Sequence, residues 1–108
     1  MEAGTCWMQL GQPERAVEAF SPAHDGWPEE LRRDRSLALA RLASAQAAVG
    51  DVNEACRTSV EALQLMRASS SGRALRELRG VRSRLMGWAR RPDIDAISQA
   101  IATLVAAA

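Results

Sequence analysis

Apolar residues recur along this chain at every third or fourth position, in six stretches separated by short polar breaks. This spacing is typical of helices that bury one face. Glycine, proline and serine mark the breaks at Gly11, at Gly50 and within 22–28, 69–72 and 90–92. The pattern predicts helices over 1–10, 13–23, 28–49, 51–68, 73–89 and 94–105, with Pro22 ending or kinking the second. Because Ala, Leu and Arg are abundant and β-branched residues few, we expect an all-α fold of five or six helices.

The apolar faces of these helices supply the predicted core. The stripe of the third helix begins at Leu31, and that of the fourth includes Val60. Trp27, in the loop before the third helix, is expected to be buried. Large aromatic side chains are usually packing anchors, so we expect the same role for Trp7 and Trp88.

A six-residue segment occurs twice and sets the expected architecture. Gly11-Gln12-Pro13-Glu14-Arg15-Ala16 and Gly50-Asp51-Val52-Asn53-Glu54-Ala55 each end one helix and open the next, and matched residues lie 39 positions apart. A constant offset between matching small residues indicates stacked helical hairpins, which usually serve as binding scaffolds. The chain then divides into a truncated repeat at 1–28, a second repeat at 29–68 and a degenerate capping hairpin at 73–105, all in one domain.

These residues resemble the tetratricopeptide (TPR) repeat. The first copy carries Gly11, Ala16, Phe20, Ala23 and Pro28, and the second carries Leu39, Leu42, Ala43, Gly50, Ala55 and Ala62. The second copy departs from the family at Ser59, where the pattern has Phe, and at Arg67, where it has Pro. The spacing from Gly11 to Gly50 is also longer than the family's usual period. The resemblance implies a right-handed stack of antiparallel helical hairpins that binds proteins or peptides.

Segments 33–43, 50–56 and 73–79 resemble more narrowly the C-terminal TPR region of actinobacterial helix-turn-helix transcriptional regulators. That likeness implies the sensory or oligomerisation part of a bacterial regulator. Its partner would be a protein or peptide, a second copy of the chain, or an N-terminal DNA-binding domain missing from the sequence. A third possible function, beside the regulator module and the nucleic-acid binding described below, is that of an accessory subunit of an enzyme.

Two surfaces are candidate partner sites. In a TPR stack the first helix of each hairpin lines a concave groove, and an uncovered first helix would expose an apolar patch. The expected partner-binding residues are Trp7, Met8, Leu37, Ala40, Ser44 and Ala47. Those of the groove are small or weakly polar, which favours an apolar helix or an extended peptide as ligand.

Charge is divided unevenly along the chain. Residues 67–91 hold eight Arg and one acid, Glu77, whereas the remainder holds six Arg and twelve acids. The alternative function is therefore nucleic-acid binding through the arginine-rich helix 73–91. Its anion-binding candidates are Arg73, Arg76, Arg79, Arg82 and Arg84. The competing interpretation, which we favour from the sequence, is a solvated face that pairs partly with acids of neighbouring helices, so direct contact with nucleic acid is not expected.

A second DNA-binding interpretation concerns residues 42–63, taken as a helix-turn-helix with Gly50 in the turn. Its second helix would have to present Asn53, Arg57, Thr58 and Gln64 to a groove. The same Gly-Asp-x-x-Glu-Ala segment is equally the turn of the repeat.

Catalysis has little support in the residue pattern. The only histidine, His24, adjoins Asp25 in a loop, without a recognisable nucleophile motif. The sequence shows neither a glycine-rich phosphate loop nor metal-ligand spacing. We therefore expect no enzyme, no cofactor and no metal.

Two cysteines, Cys6 and Cys56, are too few for a disulfide scaffold and indicate reduced thiols in the cytoplasm. Nothing in the sequence suggests a membrane partner.

Overall fold

The computed structural model describes residues 2–25, 27–68, 72–85, 87 and 91–107, with the side chains of 2, 3, 5, 6, 68, 105 and 107 left out. In this part of the chain the structure is all-helical and has no strand. Its α-helices there are α1 (Glu2–Gln9), α2 (Pro13–Phe20), α3 (Arg32–Ala48), α4 (Val52–Ala68), α5 (Gly72–Leu85) and α6 (Pro92–Ala107). Short 3₁₀ helices occupy Ser21–His24 and Glu29–Leu31. The predicted anchor Trp88 and the side chain of Cys6 lie outside the described residues.

The two copies of the repeated segment form the same helix-ending turn. Gly11 and Gly50 have φ of 71° and 85°, the left-handed conformation that glycine adopts without steric penalty. The Gln12 N–H donates to the Trp7 carbonyl at 2.8 Å, and the Asp51 N–H donates to the Gln46 carbonyl at 2.9 Å. Each glycine N–H also donates to the carbonyl three residues back, at 3.1 Å in both turns. Both turns are therefore Schellman motifs, placed at matching positions of the repeated segment.

Proline and acidic residues determine where several helices begin or end. Pro13 and Pro92 occupy first helical positions, where a missing N–H leaves no bond unmade. Helix α6 thus begins at Pro92, two residues before the predicted start at residue 94. Pro22 ends α2 as predicted, since the backbone continues beyond Phe20 only as 3₁₀ helix. The Asp51 carboxylate accepts the Glu54 N–H at 3.3 Å and so caps α4.

Helix α3 is the centre of the packing. It contacts α4 and α5 most extensively and α2 to a lesser degree. Most of its residues between Ser36 and Ala47 are buried, so its core surface extends well beyond the predicted stripe. The predicted core members Leu31 and Val60 are instead 41% and 43% exposed. Trp27 is partly buried against the main core, and its indole N–H donates to the Pro22 carbonyl at 3.1 Å.

Two hydrophobic clusters hold the helices together. The larger joins α3, α4, α5 and α6, with Leu39, Leu78 and Ile101 fully buried within it. The smaller consists of Ala16, Phe20, Leu42 and Ala45, and thus attaches α2 to α3. Trp7, Met8 and Val17 pack around the smaller cluster. The first hairpin therefore rests on its own apolar contact with α3.

Candidate functional site

Three of the predicted groove residues are buried and correct the expectation of an open groove at those positions. Leu37, Ala40 and Ala47 are 6%, 0% and 8% exposed, and all three belong to the larger cluster. The physical reason is the extensive contact of α3 with both α4 and α5, which encloses α3 on several sides. These residues stabilise the fold and leave no surface for a partner.

Trp7 and Met8 are partly buried residues of α1, just before the first hairpin turn. The Arg15 guanidinium sits over the Trp7 ring, 4.8 Å from its centroid, in a cation–π contact. Leu10, the residue after α1, is 67% exposed. One face of Trp7 is thus already covered from within the chain, whereas Met8 opens on a cavity.

This cavity, the hairpin groove, has a volume of about 240 Å³ and lies where α1 and α2 meet α3 and α5. It is lined by Met8, Phe20, Arg41, Ser44, Glu77 and Arg84. Met8 and Ser44, predicted separately as partner-binding residues, therefore line the same site. Phe20, Arg41 and Glu77 were not predicted for it, because no periodicity within one helix reveals that α5 crosses α3 beside the first hairpin.

The walls of the hairpin groove differ in chemistry. Met8 supplies apolar surface, whereas Phe20 beside it is only 3% exposed. The Arg41 Nε lies 3.7 Å from the Glu77 Oε1 and connects α3 to α5 by an ion pair. Arg84 lies on the same groove, is exposed, and forms no ion pair with a described acid. The groove thus combines an apolar side with one uncompensated guanidinium, which suits a ligand that carries an apolar group and an anionic group.

The arginines of α5 are not neutralised by the described fold. Arg73, Arg76, Arg79, Arg82 and Arg84 are all exposed, and the ion pairs among the described residues include none of them. Glu77, the single acid of the segment, pairs with Arg41 of α3 instead. These five residues are solvated, as the competing interpretation expects, and the pairing that it also expects is made in this segment by Arg91 with Asp93 of α6.

The structure argues against DNA reading by the 42–63 segment. Thr58 is fully buried, so it cannot present a hydroxyl to a groove. Asn53 accepts a hydrogen bond from the Arg91 Nη2 at 2.8 Å, and Arg57 pairs with Glu54 at 2.8 Å. Of the four proposed reading residues, Gln64 alone is exposed without a hydrogen bond in the described region. The segment is better explained as the repeat turn and a packed helix.

His24 belongs to a polar cluster that connects three elements. Its Nδ1 lies 3.2 Å from the Glu61 Oε2, and the Arg35 Nη2 lies 3.3 Å from the same oxygen. The Arg35 Nε also donates to the Ala23 carbonyl at 3.0 Å. This cluster ties the 3₁₀ helix Ser21–His24 to α3 and α4, which is a structural role.

Cys56 lies on α4, close to the Asp93 side chain of α6. Burial raises the pKa of its thiol above the ordinary value, and the nearby Asp93 carboxylate raises it further. The hydrogen bond from Arg91 lowers the pKa of Asp93, and the two groups are 2.7 Å apart. The Cys56 thiol therefore stays protonated at neutral pH, a state that disfavours nucleophilic chemistry.

Comparison with known proteins gives no match to a family model, to a curated sequence or to a solved structure. None of the described helices has the length and apolar character needed to cross a membrane. Within the described residues, no three or more His, Cys, Asp or Glu side chains are grouped so that they could hold a metal ion. Function is therefore inferred from the residues of this chain alone.

Proposed function

We propose that this protein is a TPR-like peptide-recognition module whose binding site is the hairpin groove. One observation carries the proposal: Met8 of α1 and Ser44 of α3 open on the same cavity, beside Phe20 and the exposed Arg84. Sites that hold peptides and small ligands are concave and combine apolar walls with few polar groups, as this groove does.

The repeated turn supports a TPR-like stack. Two Schellman motifs at matching positions of the repeated segment, each followed by a new helix, are what successive hairpins of one repeat would require. The contacts of α3 with α2, α4 and α5 fit a middle helix of such a stack. A groove between the first helices of successive hairpins is the surface on which a partner would then dock.

The chemistry of the walls defines the expected ligand. An apolar side chain would pack against Met8, and a carboxylate or similar anion would accept hydrogen bonds from the Arg84 guanidinium. Arg41 and Glu77 already pair with each other and would fix the width of the groove. We therefore expect a short peptide with an apolar residue next to an acidic one.

A place in a bacterial transcriptional regulator, as its sensory or oligomerisation part, rests on the sequence resemblance alone. In that setting the groove would bind a peptide signal, a neighbouring domain or a second copy, and the module would act without catalysis. The sequence of a peptide that binds the groove would distinguish these three partners, because each of them presents different residues.

A random peptide library, selected against the full chain, tests the proposal. Selected peptides should share an apolar–acidic pair, and their affinity measured by fluorescence anisotropy should fall at least about tenfold in Arg84→Gln, which removes one charged hydrogen bond. Ser44→Trp, which fills the groove, should abolish binding. Circular dichroism of both variants checks that the helices remain.

Val60→Glu is the matched control, because Val60 is exposed on α4 outside the groove. It should leave peptide affinity unchanged. The proposal is wrong if Arg84→Gln and Ser44→Trp retain wild-type affinity for every selected peptide, or if Val60→Glu weakens binding as much as they do.

A further inference from the structure

The outward side of α5 has an unusual composition. Every exposed position of this helix is Arg, Gly or Ser, whereas Ala74, Leu78, Val81 and Leu85 are buried on the opposite side. We define the arginine face as Arg73, Arg76, Arg79 and Arg82 together with Gly80 and Ser83. Arg84 is left out because it lines the hairpin groove.

The four arginines cross the exposed surface from one flank to the other, in steps of about 60°. At about 100° per residue, Arg73 and Arg82 project about half a turn apart, with Arg76 and Arg79 between them. Along the axis they span about 14 Å, at about 1.5 Å per residue. A helix with one cation on each flank and two between them can contact two chains of anions at once, one on each side.

Two small residues, Gly80 and Ser83, lie toward the C-terminal end of this face. A Cβ added to Gly80 would meet no atom within 4 Å, so no neighbour within the described fold needs the glycine. Glycine is also a poor helix former in an exposed helix interior. The Ser83 hydroxyl bonds back to the Arg79 carbonyl at 3.3 Å and lies flat on its own helix. Gly80 and Ser83 line a shallow depression with Arg76, Arg79 and Arg82, which lets a partner approach the backbone closely.

We propose that the arginine face binds the sugar–phosphate backbone of double-stranded DNA. Each guanidinium is free of ion pairs with acids in the described residues and presents its planar fork of donors to phosphate oxygens. B-form DNA has a major groove that admits an α-helix between its two phosphate chains. The length of the arginine row corresponds to about four base pairs of about 3.4 Å each.

The composition of the face favours duplex DNA over other polyanions. Protein–protein interfaces contain an apolar or aromatic centre, and the exposed positions of α5 supply no such side chain. Single strands are usually held by stacking on aromatic residues, which this face also lacks. The major groove of A-form RNA is deep and narrow, so it does not admit an α-helix between its two phosphate chains. The contact would be largely independent of base sequence, because it is made to phosphates.

Fluorescence anisotropy with a labelled DNA duplex of mixed sequence, titrated at several salt concentrations, tests the inference. Four phosphate contacts predict a slope of about −3.6 in the plot of log K against log salt concentration, an affinity loss of about a hundredfold between 50 and 200 mM. The triple variant Arg76→Gln, Arg79→Gln, Arg82→Gln should reduce the slope to about −0.9. Glutamine keeps good helix propensity at all three positions.

A second triple variant, Arg33→Gln, Arg57→Gln, Arg67→Gln, loses the same charge from exposed positions outside α5 and should retain the wild-type slope. Equal weakening by both triple variants would reduce the effect to net charge and overturn the proposal. It is equally overturned if no duplex binds at low salt, or if polyglutamate of matched charge or a single strand competes as well as duplex. Peptide binding by Arg76→Gln, Arg79→Gln, Arg82→Gln should be unchanged, which separates this surface from the hairpin groove.

Discussion

The first hairpin, α1–α2, and the second, α3–α4, share a turn but differ in what lies beside it. Gly11 and Gly50 make the same left-handed turn with the same pair of backbone hydrogen bonds. The helices of the first hairpin have 8 residues each, however, and those of the second have 17 each. The turn is determined by one glycine and a few local bonds, whereas the packing depends on residues far from it.

Helix contact differs between the hairpins as well. In the first, a Cβ on Gly4 would lie 2.6 Å from Cε2 of Phe20, so the ring needs the absence of a side chain there. The residues at the same offset in the second hairpin are Ala43 and Ser59, both fully buried. A glycine beside a large ring in one copy thus corresponds to two small residues in the other. A repeat can preserve its turn while the side chains between its helices are redistributed.

The largest expected effect comes from truncating the leucine that connects the hairpins. Leu42 lies on α3, is fully buried, and packs in the smaller cluster with Ala16 and Phe20. Leu42→Ala should lower the free energy of unfolding by about 2–5 kcal/mol, because it leaves a cavity in that cluster. Hydrogen exchange should show α1 and α2 losing protection more than α4 does.

Leu39→Ala, in the larger cluster, should cost a similar amount but reduce protection in α3, α4 and α5 together. Leu10→Ala is the control, since Leu10 is 67% exposed, and should change stability by less than about 0.5 kcal/mol. Uniform loss of protection across all helices in Leu42→Ala would mean that the two hairpins unfold as one unit.

The second effect tests the contact between Gly4 and Phe20. Gly4→Ala places a methyl group against the Phe20 ring and should destabilise the protein by about 1–3 kcal/mol, measured by urea denaturation. Phe20→Leu in the same chain should recover part of the loss.

Gly80→Ala is the matched control, because the added Cβ meets nothing within 4 Å. It should raise stability by about 0.5–1 kcal/mol, the usual gain in a helix interior. A stabilising Gly4→Ala would show that the ring moves aside without strain, and the packing difference between the hairpins would then be smaller than the geometry indicates.

The sequence predicted the helices well because their ends are local events. Gly11, Gly50, Pro13 and Pro22 act through their own backbone conformations, and the helices begin or end beside them as expected. The two copies of the repeated segment match in the structure down to single hydrogen bonds. The prediction of an all-α chain with five or six helices is confirmed for the described residues.

The sequence predicted the exposed residues of the partner site less well, because the neighbours of a helix decide which of its sides are buried. Helix α3 is apolar on several sides, so its sequence alone could not show which side α5 would cover. Leu37, Ala40 and Ala47 were therefore assigned to a groove that α3 does not expose. Ser44 and Met8 do line a groove, but part of its charged wall comes from α5, which is distant from both along the chain. That juxtaposition has no signature in local periodicity.

The third effect tests whether the two turns are energetically alike. Alanine at Gly11 or at Gly50 would have to adopt a positive φ, which costs about 1–2 kcal/mol for a residue with a Cβ. Thermal denaturation of Gly11→Ala and Gly50→Ala should give similar losses, since no neighbouring atom lies within 4 Å of either added Cβ. A much smaller loss for Gly11→Ala would indicate that the first hairpin is already partly open at the midpoint of unfolding.

The smallest effect concerns the residue that opens the second helix of each hairpin. Asp51 caps α4 through its carboxylate, whereas Gln12, at the equivalent position, makes no side-chain bond to α2. Asp51→Ala should cost about 1 kcal/mol, and Gln12→Asp should gain a similar or smaller amount by supplying the missing cap. The gain should disappear as the pH falls below about 4 and the new carboxylate is protonated, since a neutral acid accepts the N–H less strongly. Gln12→Asn caps the helix without a charge and so separates the hydrogen bond from the attraction to the helix dipole. If Gln12→Asn is also stabilised, and remains so at low pH, the gain comes from the hydrogen bond. If Gln12→Asn shows no gain at any pH, the gain of Gln12→Asp comes from its charge.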